Sequence, residues 1–479
     1  MPAITGEQYL DRINSLKPNI WIGGKQIKES ISLHPAYRGA MQTKASLYDL
    51  QLHPDKIERM TYHSPVTNNR IGISFLEPKT KEDLKIRRHM IQEWANKTVG
   101  MMGRTPDYLN TAVMTLAAAA PVLKDQDEDF VGNLQTLYET AREKDLSFTH
   151  SFINPQVNRS SLYTEASFQP IAAKITKKTA EGIIIKGARL LATQGGMTDE
   201  VLIFPTGAKI TDEESAFSFS IPTNTPGLKF ICRESFHQGD SEFNYPLSSK
   251  FNEMDTMLIF DNVLVPWERV FFYHRQDLAH KLFYKSSFTP HVLHQVVTRQ
   301  VVKTKFLLGL AQLLVTTLSV SEYQHIQEKI SEIIIGLETM NSLLEVSEST
   351  AILDEWGTMT PNISQLYVAA TTFPKLYPRF IDILQLIGAG GMLTLPTEED
   401  FNSNLQSDLL HYLQGSSCDA ISRVKLFRLA WDLTMSAFGT RQTHYERFFF
   451  GDPVRMASNL YKGYPREESL TMVKNFLHL

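Results

Sequence analysis

Cysteine is nearly missing from this chain, with 2 residues in 479. Cys232 and Cys418 are too few for a disulfide framework or for a cysteine-built zinc or iron–sulfur site, and they fit a reducing cytoplasm. Charge imbalance is missing as well. The 48 basic and 52 acidic residues give a formal charge of -4, and no Lys/Arg run forms a basic arm. That excludes a general binder of nucleic acid or anionic membrane and points to a small substrate. The longest apolar run, 111–123, ends around Pro121, too short for a bilayer, and residues 1–13 carry Glu7 and Asp11 without the apolar core of a signal peptide. No membrane role is expected. There is no Walker sequence, no His-Glu-x-x-His, no Gly-x-Ser-x-Gly and no internal repeat. Gly388-Ala-Gly390-Gly391 follows no strand and has no acidic residue at dinucleotide-binding distance, so no nicotinamide site can be read.

What is present is a long chain, 42% hydrophobic, enough for two or three domains and a large core. Its first 145 residues read as helical after initial loops. An amphipathic helix is expected over 81–95 and a buried, small-residue helix over 108–120. The second starts at a good N-cap, Thr105, with Pro106 at the first helical position and Asp107 at the positive end of the helix dipole. Arg104 then sits at the helix lip and Tyr108 on its first turn, where residues four apart address one site. Gly100-Met-Met-Gly103 lets backbone approach closely just before them.

From about Thr164 the pattern changes to short β-branched and aromatic runs, at 182–187, 201–205, 216–221, 228–232 and 256–260, punctuated by Gly, Pro, Asn and Asp. This predicts an all-β module, with 261–269 leading the chain out of the sheet. The last part is helical again. Ile326, Ile330, Ile333, Ile334, Leu337, Met340, Leu343 and Leu344 mark one face of a long helix over 322–348, while 307–318 is apolar nearly all round, as in a bundle centre or a subunit interface. With 376–386, 399–414 and 422–438 these predict a bundle of four or more helices.

One stretch carries binding chemistry. Residues 147–160 place His150 shortly before an Asn154-Pro155 turn signal, two side-chain amides and Arg159. Pro155 forbids a helix across it, so a structured loop is expected. Alone, His150 reads first as a satisfied core or surface histidine.

The chain resembles the flavin-dependent 4-hydroxyphenylacetate 3-monooxygenase family, the large oxygenase component of two-component systems, over nearly its whole length. The resemblance is carried by Gly103-Arg104-Thr105-Pro106-Asp107-Tyr108, Thr149-His150, Asn154-Pro155-Gln156-Val157-Asn158-Arg159 and Gly187-Ala188-Arg189-Leu190-Leu191-Ala192-Thr193. It continues through Phe260-Asp261-Asn262-Val263-Leu264-Val265-Pro266-Trp267-Glu268-Arg269, Phe438-Gly439-Thr440-Arg441-Gln442, Tyr445-Glu446-Arg447-Phe448 and Gly451-Asp452-Pro453. It implies an α+β, acyl-CoA dehydrogenase-like fold: an N-terminal helical domain (1–150), a β-barrel-like middle domain (151–275) and a C-terminal helical bundle with a tail (276–479).

It also implies a site in which Arg104, Tyr108 and His150 surround a phenol hydroxyl. The expected reaction is ortho hydroxylation of a small phenol such as 4-hydroxyphenylacetate, with reduced FAD as a diffusible co-substrate and dioxygen as oxidant. A base near neutral pKa draws off the phenol proton and an arginine stabilises the developing charge. His150 is the expected base, with His294 in reserve, Arg104 the electrostatic partner and Tyr108 the group that orients the hydroxyl. By the same resemblance Gln156, Val157, Asn158, Arg159, Thr193, Gly451, Asp452 and Pro453 contact the flavin, Pro205 and Thr206 begin a loop over the substrate, and no metal is needed. Specificity is expected around 206–214 and His291. Aromatic and apolar walls would keep water out. The missing nicotinamide site implies a separate NAD(P)H-dependent flavin reductase, and the surplus apolar helix surface a homotetramer. A related chlorophenol oxygenase and a catalytically silent scaffold are the alternatives. The similarly folded 4-hydroxybutyryl-CoA dehydratases need three cysteines for their cluster, which two cannot supply.

Overall fold

The structure, a computed structural model, describes residues 3–124, 129–155, 171–205 and 213–479. Helices come first, then two sheets, then a helical bundle, the order expected from the sequence. Helix Lys81–Lys97 begins in a capping box, Thr80 and Asp83 each bonding the other's backbone N–H. Helix Pro106–Ala118 carries Pro106 at its first position, and every residue from Pro106 to Ala117 is buried. Thr105 occupies the N-cap position, but its hydroxyl makes no capping hydrogen bond.

The six-stranded sheet runs Lys25–Gln26, Ile20–Ile22, Leu228–Cys232, Asp255–Pro266, Gly182–Thr193, Lys174–Lys178. The four-stranded sheet runs Val270–Tyr273, Phe217–Pro222, Glu200–Ile203, Phe148–Ser151. Neither closes into a barrel. Two expectations are corrected here. Residues 148–151 form a strand rather than a loop, paired in parallel with Glu200–Ile203 and placing His150 opposite Leu202. Residues 261–266 do not leave the sheet. The ladder shifts register between Phe260 and Val263, with Asn262 at φ 53°, and the strand then continues to Pro266. A bulge lets a long strand bend without ending.

Helix Phe288–Leu318 joins the two large cores. Val292 and Val296 face the core of the N-terminal helices and sheets, while Leu293, Val297 and Val301 face the core of the bundle. A helix packed on two sides needs apolar residues on both, so its composition alone would also suit a membrane span. Between these faces it carries a buried polar row, including His294, Arg299 and Lys303. The bundle is completed by Gln324–Ser349, Ile363–Gly388, Ala420–Thr434 and Ala437–Phe448. Ile363–Gly388 is far longer than the expected 376–386, because Pro374 and Pro378 lie inside it without ending it. The expected 399–414 helix is broken into Glu398–Phe401 and Gln406–Tyr412.

Candidate active site

Strand Phe148–Ser151 fixes His150 by alternation. The hydroxyls of Thr149 and Ser151 point to one face and donate to backbone carbonyls of the neighbouring long strand, Thr193 O at 2.7 Å and Leu190 O at 2.6 Å. His150 and, just past the strand, Phe152 share the opposite face, with ring centroids 4.6 Å apart. Phe152 stacks on Phe204 at 5.3 Å, and Phe283 and Phe288 complete a wall of four phenylalanines.

On the other side of His150 stands Tyr108, 5.8 Å away between ring centroids. The Arg104 guanidinium lies over the Tyr108 ring, its central carbon 4.0 Å from the centroid. The order is therefore arginine, tyrosine, histidine, phenylalanine wall. The backbone of Arg104 is held by Glu253, whose carboxylate accepts from the N–H groups of Gly103 and Arg104, both at 2.9 Å. Gln194 donates to the same carboxylate at 2.9 Å, and buried Lys44 donates to Gln194 at 3.1 Å. Helix Ala437–Phe448 brings a second set. The Tyr445 hydroxyl accepts from Arg104 Nη1 at 2.5 Å, and Phe449, stacked on Tyr445, lies 5.9 Å from the guanidinium.

The electrostatics follow from burial and one cation. Burial pushes the His150 imidazole well below its usual value, and the Arg104 charge pushes it further the same way, so at neutral pH it is uncharged and a weaker base than the near-neutral one expected from sequence. Its Nδ1 is buried without a partner among the described residues, as are Arg104 Nε and Asn154 Oδ1. Among the described residues no carboxylate lies within ion-pair distance of the Arg104 guanidinium. Nearby, Thr193 donates to Asp255 at 2.8 Å. Burial would raise the Asp255 carboxyl, but Arg441, bonded at 2.7 and 3.0 Å, and Arg233 hold it well below the usual range.

Of the residues singled out from sequence, Arg104, Tyr108 and His150 converge. Thr193 is tied through its carbonyl to the His150 strand, and Pro205 follows Phe204, whose N–H meets Ser151 O at 3.4 Å. Gly451 adopts φ 118° two residues beyond Phe449. Asp452 caps helix Pro453–Gly463 through the Val454 N–H, with Pro453 at its first position. Gln156, Val157, Asn158, Arg159 and Thr206 lie outside the described residues. The reserve base, His294, is engaged elsewhere: its Nε2 sits 2.8 Å from Glu348, which also pairs with Arg88 at 2.9 Å. Glu253, Phe152, Phe204 and Tyr445 join the site only in the structure. Tyr445 falls in a segment that carries the family resemblance, whereas nothing local in the sequence marks Glu253.

A buried arginine with no carboxylate at ion-pair distance among the described residues, a neutral histidine and a phenylalanine wall suit a flat phenolic ligand, and the fold is that of a flavin-dependent aromatic oxygenase. The comparisons agree. Residues 5–272 match the family model described as 4-hydroxyphenylacetate 3-hydroxylase N terminal, and 279–478 its C-terminal counterpart. The chain is 56% identical to a probable 4-hydroxyphenylacetate 3-monooxygenase of Bacillus subtilis, over 100% of this chain and 99% of the relative. It is 44% identical to the oxygenase component of 4-hydroxyphenylacetate 3-monooxygenase of Thermus thermophilus, over 99% and 97%. A solved structure of such an oxygenase component, complexed with FAD and 4-hydroxyphenylacetate, superposes with a TM-score of 0.95 at 43% identity, covering 99% of this chain and 98% of that one. An archaeal 4-hydroxybutyryl-CoA dehydratase shares the fold alone, with a TM-score of 0.87 at 19% identity. The chain belongs to the 4-hydroxyphenylacetate 3-hydroxylase family.

Proposed function

We propose that the protein is the oxygenase component of a two-component monooxygenase, converting 4-hydroxyphenylacetate to 3,4-dihydroxyphenylacetate with reduced FAD and dioxygen. The observation that carries the reading is the row of Arg104, Tyr108 and His150, a buried cation with no ion-pair partner among the described residues beside a neutral imidazole. A phenol hydroxyl set between them gives its proton toward His150 while its oxygen turns to Arg104. Charge developing on that oxygen is stabilised in a low-dielectric, preorganised place. Tyr108 orients the hydroxyl, and Pro205 with Thr206 begins the cover over the ring.

FAD fits the residues present. The orphaned Oδ1 of Asn154, on the segment that leads from strand Phe148–Ser151 toward Gln156, suits a polar edge of such a group. Thr193, with Gln156, Val157, Asn158, Arg159, Gly451, Asp452 and Pro453, would hold it. Bound in its reduced form, FAD supplies with dioxygen the electrophilic oxygen that the ortho carbon takes up. The phenylalanine wall keeps water from that chemistry. Because no nicotinamide fingerprint is readable, a separate NAD(P)H-dependent reductase delivers the reduced flavin. The same reading takes the enzyme as a cytoplasmic homotetramer, with domains at 1–150, 151–275 and 276–479 and strand Phe148–Ser151 straddling the first boundary.

The test is catechol formation. Purified protein with FAD, NADH, a flavin reductase and 4-hydroxyphenylacetate should yield 3,4-dihydroxyphenylacetate. If reduced FAD is oxidised as fast as in buffer and no catechol appears with this or other 4-substituted phenols, the reading fails.

A further inference from the structure

Arg104 is held in an unusual way. Its guanidinium makes two hydrogen bonds among the described residues, to its neighbour's carbonyl, Gly103 O, at 3.2 Å and to the Tyr445 hydroxyl at 2.5 Å. The second comes from 341 residues away in sequence. A buried arginine is ordinarily met by a carboxylate, whose charge offsets the loss of hydration. Here the acceptor is neutral. A carboxylate in that place would orient the guanidinium equally well but would cancel the field it projects toward a phenol oxygen. A tyrosine hydroxyl orients it and leaves the charge in force.

Tyr445 is in turn fixed from several sides. Its ring stacks on Phe449 at 5.4 Å and lies under Arg441 at 4.9 Å and Arg299 at 5.7 Å. Its hydroxyl fills the space beside Gly103, where a Cβ would stand 2.1 Å from that oxygen. Position 103 must therefore lack a side chain for the contact to exist. The helix bearing Tyr445 is locked to the same loop, since Gln442 donates to Met101 O at 2.9 Å, and Arg299 donates both to Glu446 at 2.7 Å and to Gly100 O at 2.9 Å.

We propose that Tyr445 is a positioning residue for the hydroxylation, aiming the Arg104 cation at the substrate's phenol oxygen without neutralising it. The proposal rests on the oxygenase reading above. Losing a hydrogen bond to a charged group corresponds to about a 10- to 100-fold effect. Tyr445→Phe keeps the stacked ring and should keep the fold with a modestly lowered thermal midpoint, yet it should lower kcat/KM for catechol formation by about that factor.

The defect should shrink at alkaline pH, as the free phenol, with a pKa of about 10, ionises without help. In an Arg104→Ala background Tyr445→Phe should add nothing, because both changes remove one unit. A flavin-free reading comes from the absorbance of 4-hydroxyphenylacetate titrated with pH in the presence of each protein. The bound phenol should ionise at higher pH with Tyr445→Phe than with wild type. Wild-type protein that forms no catechol overturns the oxygenase reading itself. Catechol from wild type together with an unchanged kcat/KM and pH profile in Tyr445→Phe overturns only the role of Tyr445, and so do additive effects in the double variant or equal ionisation of the bound phenol.

Discussion

His150 is uncharged at neutral pH because burial and the nearby Arg104 cation both disfavour its proton. In the proposed reaction it would take the phenol proton only while Arg104 also draws charge onto the phenol oxygen. His150→Ala should therefore slow catechol formation by a factor of about 10² to 10⁴, with FAD binding retained and the lost flux appearing as hydrogen peroxide. Single-turnover product analysis checks this; near wild-type hydroxylation with full coupling would place the base elsewhere. A second histidine is legible in stability. His291 is buried with neither ring nitrogen partnered, and burial, Arg87 and His294 all push it well below its usual value. An unfolded histidine titrates near 6.5. Below that pH the unfolded state binds more protons than the folded one, so stability falls as pH drops, by up to about 1.4 kcal/mol per pH unit for one such group. His291→Leu removes this term, and its urea midpoint should fall less than that of wild type between about pH 6.5 and 5.

At the scale of elements, helix Ala437–Phe448 is docked on Phe288–Leu318 by a closed charge cluster. Glu446 accepts from Arg299 at 2.7 and 3.0 Å, from Lys303 at 2.8 Å and from Gln300 at 3.2 Å. Burial alone would raise the Glu446 carboxyl, yet Arg299 and Lys303 lower it to about 2. Burial lowers Lys303 to about 8 even with Glu446 beside it. Glu446→Gln would leave two buried cations without their counter-charge, at a cost of about 3–5 kcal/mol. Denaturant unfolding measures it, and a loss below about 1 kcal/mol would mean that water already reaches the cluster. Since the same helix carries Tyr445, this variant should also weaken the hold on Arg104.

At the scale of the whole molecule, the bundle exposes apolar side chains that a single chain leaves uncovered. Leu313 is 57% exposed, Ile335 65% and Leu386 52%, and the last two helices expose Val454, Tyr461, Met472 and Phe476. The proposed self-association would cover these side chains. Sedimentation velocity at micromolar protein should give a homotetramer. A stable monomer would contradict this.

Local rules made much of the chain legible. The start of helix Pro106–Ala118 is written in adjacent residues, Thr105-Pro106-Asp107, and Arg104, just before the N-cap, reaches over Tyr108 on the first turn. The long helix Gln324–Ser349 shows in its apolar period, and the resemblance named the family and the site's three principal residues. What sequence left open depends on chain segments far apart. The partners of Arg104 are Glu253 and Tyr445, 149 and 341 residues away, and the Phe152 wall is assembled from three separate segments. Whether Pro374 ends a helix or lies within one is decided by packing around it. The strand at His150 has no legible signal because four residues give too short a pattern, and its identity comes from pairing with Glu200–Ile203. Side-chain type and near spacing fix what a residue can do, whereas burial and long-range partners fix its protonation state and direction, and those belong to the tertiary structure alone.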